Sequence, residues 1–174
     1  KVSFYIIRHL PTPWNLEKKL QGSKDISITT PDKKTLEKIQ QNLQEFKALD
    51  FDHILVSQLK RTRETAAHYG YLNVEVEPLI NELNFGKFEG ESKTKMLSEV
   101  GDNWYKDATK VSLGETLLNF EQRLKLFNKK YENKDVLVFA HGAVTRALVA
   151  LSEKNTIKEM NTIDIPNNSL TVIF

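Results

Sequence analysis

The sequence predicts an α/β layer fold with a mainly parallel sheet, and two features carry that expectation. Short apolar runs rich in β-branched and aromatic residues alternate with segments of helical period, and three of those runs end abruptly in polar residues. The first strand is expected over residues 2–7, running straight into Arg8 and His9. Leu36, Ile39, Leu43 and Phe46 follow at spacings of three, four and three, which puts their side chains on one helical face. That helix is expected to open at Thr30, with Pro31 at its first position and Asp32 in its first turn. A buried strand over residues 54–56 leads into Ser57, and a helix over residues 61–69 closes at Gly70. Val74 and Val76 offer a further strand, and residues 89–112, weakly periodic, read as loop, short helix or lid. The cleanest amphipathic helix carries Leu117, Phe120, Leu124, Phe127 and Tyr131, expected core residues. A strand over residues 136–140 then meets His141 and Gly142, a helix covers 144–153, and a last strand covers 170–174.

Composition narrows the function classes. The chain has 174 residues, 40% of them hydrophobic and 28% charged, with 7 Gly and 5 Pro, the make-up of one globular domain over residues 1–174. The lack of cysteine excludes thiol nucleophiles, iron–sulfur clusters and thiolate zinc sites. Lys and Arg number 25 against 23 Asp and Glu, a net charge of +2 spread along the chain, so binding of nucleic acid or membrane by bulk charge is not expected. The apolar runs are far shorter than the roughly 20 residues of a spanning helix. Residues 4–7 are also too short for a signal-peptide core of about 7 to 15 residues. A cytoplasmic protein is expected.

Polar residues at the ends of strands are the informative point. In open α/β sheets, ligands bind beyond the carboxyl ends of the strands. With these strands as parallel neighbours, His9 and His141 converge on one crevice, and Arg61 arrives from the first turn of the helix after Ser57. Two imidazoles with the guanidiniums of Arg8 and Arg61 describe an anion site, and a phosphoryl group is its natural guest, because guanidiniums match phosphate bidentately.

Four motifs then occur in register: Arg8-His9-Leu10-Pro11-Thr12-Pro13-Trp14-Asn15, Ser57 to Ala66 with Arg61 inside it, Glu82 to Gly90, and His141-Gly142-Ala143-Val144-Thr145-Arg146. Together they resemble the histidine phosphatase superfamily, the phosphoglycerate-mutase-like phosphohydrolases, whose first signature is Arg-His-Gly-x-Thr-x-x-Asn. The resemblance implies a three-layer α/β/α sandwich and a phosphohistidine mechanism with no metal and no cofactor. By position it makes His9 the nucleophile, with Arg8, Arg61 and His141 on the phosphoryl oxygens. It adds Asn15 and Gly142 to the phosphate-binding set and makes Glu82 the general acid and base. The expected activity is that of a phosphomonoesterase on a small phosphorylated molecule. The alternatives are a phosphoglycerate-mutase-type transferase and a catalytically impaired phosphate-binding module.

The physical logic agrees with those roles. An attacking imidazole must be neutral, and Arg8 and Arg61 disfavour a further positive charge on His9. The rate is expected to fall on the alkaline side as Glu82 loses its proton. Leu10 departs from the signature's Gly, and a branched side chain beside the nucleophile is expected either to narrow the pocket or to impair catalysis. Arg61 and Arg63 lie two apart, so one is expected to function and the other to be a surface charge. Glu89 reads as structural, His53 and His68 as surface or packing residues, and Trp14 as a substrate stack or a loop-packing residue. Asn167, Asn168 and Ser169 are minor candidates for lining the pocket. Oligomeric state and the identity of the ester are open.

Overall fold

The computed structural model describes residues 3–174, so Val2, where the first strand is expected to begin, lies outside the described residues. β1 (Ser3–Arg8) is followed by the short helix α1 (Pro13–Leu16), α2 (Lys33–Phe46), β2 (His53–Val56), α3 (Lys60–His68) and the two-residue β3 (Glu75–Val76). Then come α4 (Lys93–Val100), α5 (Asn103–Lys106), α6 (Leu117–Lys130), β4 (Asp135–Ala140), α7 (Gly142–Lys154) and β5 (Leu170–Ile173). The strand order is β3-β2-β4-β1-β5. β1 runs parallel to β4, β4 to β2 and β2 to β3, while β5 closes the edge antiparallel to β1.

The pleat sorts the strands' side chains into two cores, which makes the fold a three-layer α/β/α sandwich. Phe4 and Ile6 of β1 join Val136, Val138 and Ala140 of β4 against α6 and α7. Ile7, Leu137 and Phe139 point the other way, against Ile39 and Phe46 of α2 and Ala66 of α3. Because β1 and β4 are covered on both faces, they read as continuous apolar runs without alternation.

The helices show where local signals prevail and where they yield. All five residues of the α6 stripe are buried, each apolar side chain worth roughly 1.5–3 kcal/mol. The Thr116 hydroxyl caps this helix by accepting from Asn119 N–H at 3.1 Å. α2 begins later than the expected start at Thr30, because the Asp32 carboxylate accepts from Thr35 N–H at 2.8 Å and so makes Asp32 the cap. Its inward face is also rotated: Ile39, Asn42 and Phe46 are buried, whereas Leu36 is 47% exposed. Asn42 earns its buried place by donating to both Tyr69 Oη and Asn168 O at 2.8 Å. α7 starts two residues before the expected helix, directly after His141. Residues 89–112 resolve into α4, α5 and a 3-10 turn, segments too short to show a period, with Met96, Trp104 and Ala108 as buried anchors. Among the described residues no helix is long and apolar enough to cross a membrane.

Candidate active site

Register brings the polar strand ends together. Arg8 pairs with Ala140 across the β1–β4 ladder, so His9 and His141 are the next residues on neighbouring parallel strands. His9 N–H still donates to Ala140 O at 2.9 Å, and the two imidazole centroids lie 5.5 Å apart. The order of strands reverses at this point, with α2 and α3 on one face and α6 and α7 on the other, which opens the crevice where ligands bind in such sheets. A cleft of about 480 Å³ occupies it, lined by Arg8, His9, Asn15, Arg61, Glu82 and Gly142 among others. His141 does not line the cleft; it is fully buried beneath it.

The hydrogen-bond partners settle which nitrogen of His9 is available. His9 Nδ1 sits 2.7 Å from Leu10 O, and a carbonyl only accepts, so Nδ1 carries the proton and Nε2 of the neutral ring keeps its lone pair. Burial is the largest influence holding the His9 pKa well below the ordinary imidazole value, followed by the charges of Arg61 and Arg8. The expected direction therefore holds, with burial ahead of the arginines as its cause. His141 is likewise kept well below the usual value, by burial first and then by Arg61. Its Nε2 lies 2.7 Å from Ser57 Oγ, and that hydroxyl in turn accepts from Leu59 N–H at 3.1 Å.

The guanidiniums are held by neutral oxygens alone. Arg8 Nη1 donates to Ile165 O at 2.6 Å, and Arg61 donates from Nη1 to Lys24 O at 2.5 Å and from Nη2 to Gly22 O at 2.7 Å. Burial lowers both pKa values to about 10, so both stay charged at neutral pH. Three buried side-chain polar atoms lack any partner among the described residues: Arg8 Nε, Arg61 Nε and His141 Nδ1. All three belong to this cluster, and buried polar groups are otherwise paired in folded proteins. Arg63, by contrast, is exposed.

Glu82 closes the cleft from the helix side. Its carboxylate accepts from Ala143 N–H at 3.0 Å, Val144 N–H at 3.2 Å and its neighbour Leu83 N–H at 2.9 Å, sitting at the N-terminus of α7. Gly142 opens that helix, and a methyl group there would lie 3.2 Å from Arg8 Cζ, so glycine lets the guanidinium approach the helix end. Asn15 Oδ1 accepts from Thr12 N–H at 3.0 Å and from Asn167 Nδ2 at 3.2 Å. Its oxygen is thus used within the loop, which leaves Nδ2 as the donor for the cleft that Asn15 lines.

Several secondary expectations resolve here. Leu10 is 1% exposed and packs in the α2/α3 core, on the opposite side of the backbone from the cleft, so the expected narrowing of the pocket does not occur. Trp14 lies against Gly90 and does not line the cleft, the loop-packing alternative. Glu89 accepts from Ser23 N–H at 2.7 Å and Phe85 N–H at 3.1 Å, a structural role. Asn167 ties the loop together by donating to His9 O at 3.0 Å as well as to Asn15. Among the described residues no three His, Asp or Glu side chains gather as a metal-ligand set. Two contributors were not singled out from sequence: Ser57, against His141, and Arg146, which also lines the cleft. Arg146 lies four residues beyond Gly142 on the same helical face, a spacing that could have found it.

The arrangement defines an α/β protein whose strand ends can hold a tetrahedral oxyanion beside a neutral imidazole. The chain belongs to the histidine phosphatase superfamily (branch 1), whose family model matches residues 4–174. It is 30% identical over 151 residues to the phosphatase PhoE of Bacillus subtilis, itself uncharacterized, covering 83% of this chain and 74% of that one. It is 27% identical over 157 residues to phosphoglycerate mutase-like protein 4 of Arabidopsis thaliana, covering 82% and 67%. Among solved structures, the product of open reading frame Rv3214 from Mycobacterium tuberculosis superposes with a TM-score of 0.83 at 22% identity, over 99% of this chain and 90% of that one, a likeness of fold.

Proposed function

We propose that this chain is a phosphomonoesterase that works through a phosphohistidine on His9 and needs no metal. The observation that carries the reading is the set of three unpartnered buried nitrogens, Arg8 Nε, Arg61 Nε and His141 Nδ1, beside the neutral His9 imidazole. A phosphoryl group supplies acceptors for the two guanidinium N–H groups, and for His141 Nδ1 in the tautomer that is protonated there, and the guanidiniums stabilise the negative charge that spreads over its oxygens in the transition state.

In the first half-reaction, His9 Nε2 attacks phosphorus in line, the bond from phosphorus to the ester oxygen breaks, and Glu82 in its acid form gives its proton to the leaving oxygen. In the second, Glu82 takes a proton from water, the water oxygen attacks phosphorus, and the bond to Nε2 breaks. Arg8, Arg61 and the Asn15 amide hold the oxygens from the cleft wall throughout, His141 faces them from beneath through Nδ1, and Gly142 keeps the helix end open to them. Transfer to a second substrate hydroxyl in place of water is the mutase outcome. The substrate is a small phosphorylated molecule in keeping with the cleft volume of about 480 Å³.

The test is release of inorganic phosphate from an aryl phosphate in excess chelator, comparing wild type with His9→Ala. Turnover that survives chelation and disappears in the variant is expected. Activity that requires added metal, or that persists without His9, would overturn the mechanism.

A further inference from the structure

A neutral imidazole carries a single proton on one of its two nitrogens, and the other nitrogen can only accept. For His9 the Leu10 carbonyl puts that proton on Nδ1. For His141 the same choice decides what the ring offers a bound oxyanion, since an N–H donates to it and a bare nitrogen repels it. Burial, with Arg61, His9, Arg8 and Arg123 adding to it, opposes a second proton on His141, so the ring is neutral. Its Nδ1 is buried with no partner among the described residues, and its Nε2 meets Ser57 Oγ at 2.7 Å.

Ser57 is held in place by its own turn. Val56 pairs with Phe139 across the parallel strands β2 and β4, so Ser57 and His141 leave neighbouring strands one residue out of step. The Ser57 hydroxyl accepts from Leu59 N–H at 3.1 Å, and Ser57 N–H donates to Thr62 Oγ1 at 3.0 Å, which locks the serine at the start of α3. Ser57, Thr62 and His141 are all fully buried. Two proton arrangements are then open. Either Ser57 donates to Nε2 and the imidazole proton sits on Nδ1, or Nε2–H donates to Ser57 and the serine proton turns to Thr62 Oγ1. The distances separate them. A contact of 2.7 Å is ordinary for a hydroxyl donor and short for N–H···O, whose mode is about 2.9–3.0 Å. Ser57 Oγ to Thr62 Oγ1 is 3.2 Å, longer than hydroxyl pairs normally run, and the Thr62 hydroxyl is already engaged, donating to Leu59 O at 2.8 Å.

We infer that Ser57 is a positioning residue whose hydroxyl donates to His141 Nε2 and so fixes the proton on Nδ1, which makes His141 a hydrogen-bond donor to the bound anion and not a second nucleophile. The two rings thus carry the same tautomer to opposite ends: His9 presents a bare Nε2, and His141 presents an N–H. The donation to a phosphoryl oxygen rests on the phosphatase reading above, whereas the tautomer itself is measured without turnover.

Long-range proton–nitrogen correlation spectra of 15N-labelled protein separate protonated from bare ring nitrogens. With 4 histidines in the chain, the His141 signals are assigned by their loss in His141→Gln. Wild type is expected to show His141 protonated on Nδ1 and bare on Nε2. Ser57→Ala should lose that single tautomer, and Ser57→Thr, which restores the hydroxyl, should regain it, with thermal melts reporting that both variants are folded. On an aryl phosphate, Ser57→Ala should lower kcat about tenfold with KM within about twofold of wild type, because a misdirected donor is missed most where charge spreads over the oxygens. Ser57→Thr should recover most of that loss. A proton on Nε2 in wild type would overturn the inference, and this spectrum decides even where Ser57→Ala fails to fold. A His141 spectrum unchanged in folded Ser57→Ala would overturn it too, and a changed tautomer with unchanged kcat would sink the donor role. Absence of phosphate release from wild type would sink the phosphatase reading and leave the spectra to judge Ser57 alone.

Discussion

Leu10 shows how a single residue can mislead when its side-chain direction is unknown. It stands where the family signature has Gly, yet its N–H donates to Thr65 Oγ1 at 2.9 Å and its side chain fills the α2/α3 core. Leu10→Gly is accordingly expected to destabilise the fold by about 2–5 kcal/mol, as large-to-small core changes do, with no gain in kcat. A faster enzyme of unchanged melting temperature would contradict this. The two buried imidazoles carry a second prediction at this scale. Both have folded pKa values well below 6.5, so between those values and about 6.5 the unfolded chain binds more protons than the folded one. The stability they contribute is complete above about pH 6.5 and is lost as pH falls below it. Melting temperatures from pH 8 to pH 5 should therefore fall on the acid side. His141→Gln should show a shallower slope, and an identical slope would refute the assignment.

At the scale of elements, the loop that carries Glu82 is clamped from α6. Arg123 donates from Nη1 to Leu79 O and Asn81 O at 2.7 Å each, and pairs through Nη2 with Glu115 Oε1 at 2.7 Å. Glu115 then accepts from Asn84 N–H at 3.2 Å, so the pair grips the loop on both sides of Glu82. Arg123→Ala is expected to cost about 2 kcal/mol, since it strands partly buried carbonyls and a partly buried carboxylate. It should also lower kcat roughly tenfold by loosening Glu82, while leaving the affinity for phosphate close to wild type. Denaturant titration and steady-state kinetics read the two effects. The helix that makes this clamp was fully legible, because its stripe at three- and four-residue spacings is long and uninterrupted. α2 was legible in kind but not in phase: the Asp32 cap set its start, and the tertiary partners of Asn42 outweighed the apolar Leu36 in choosing the buried face.

For the molecule as a whole, the proposed function predicts that an anion binding beside the unpartnered Arg8 Nε and Arg61 Nε stabilises the fold. Orthovanadate or phosphate at about 100 times its Kd should add about 2.7 kcal/mol to the folded state. For a chain of this size that is roughly 5–10 °C in Tm. Arg61→Met should lose most of that shift, and a shift of equal size in the variant would show that the anion binds elsewhere.

The sequence by itself determined the α/β class, the placing of Arg8, His9 and His141 directly after apolar runs with Arg61 opening the helix after Ser57, and the family. Those depend on local period and on residues that directly follow apolar runs, which the chain states in order. Only the tertiary structure decided that Leu10 faces the core, that His141 lies beneath the cleft against Ser57, and that Arg146 joins the cleft. It also decided that Glu82 caps α7 and that Arg123 holds its loop. Each of these rests on a side-chain direction or a partner dozens of residues away. Spacing along the chain says nothing about either until the sheet register brings the partners face to face.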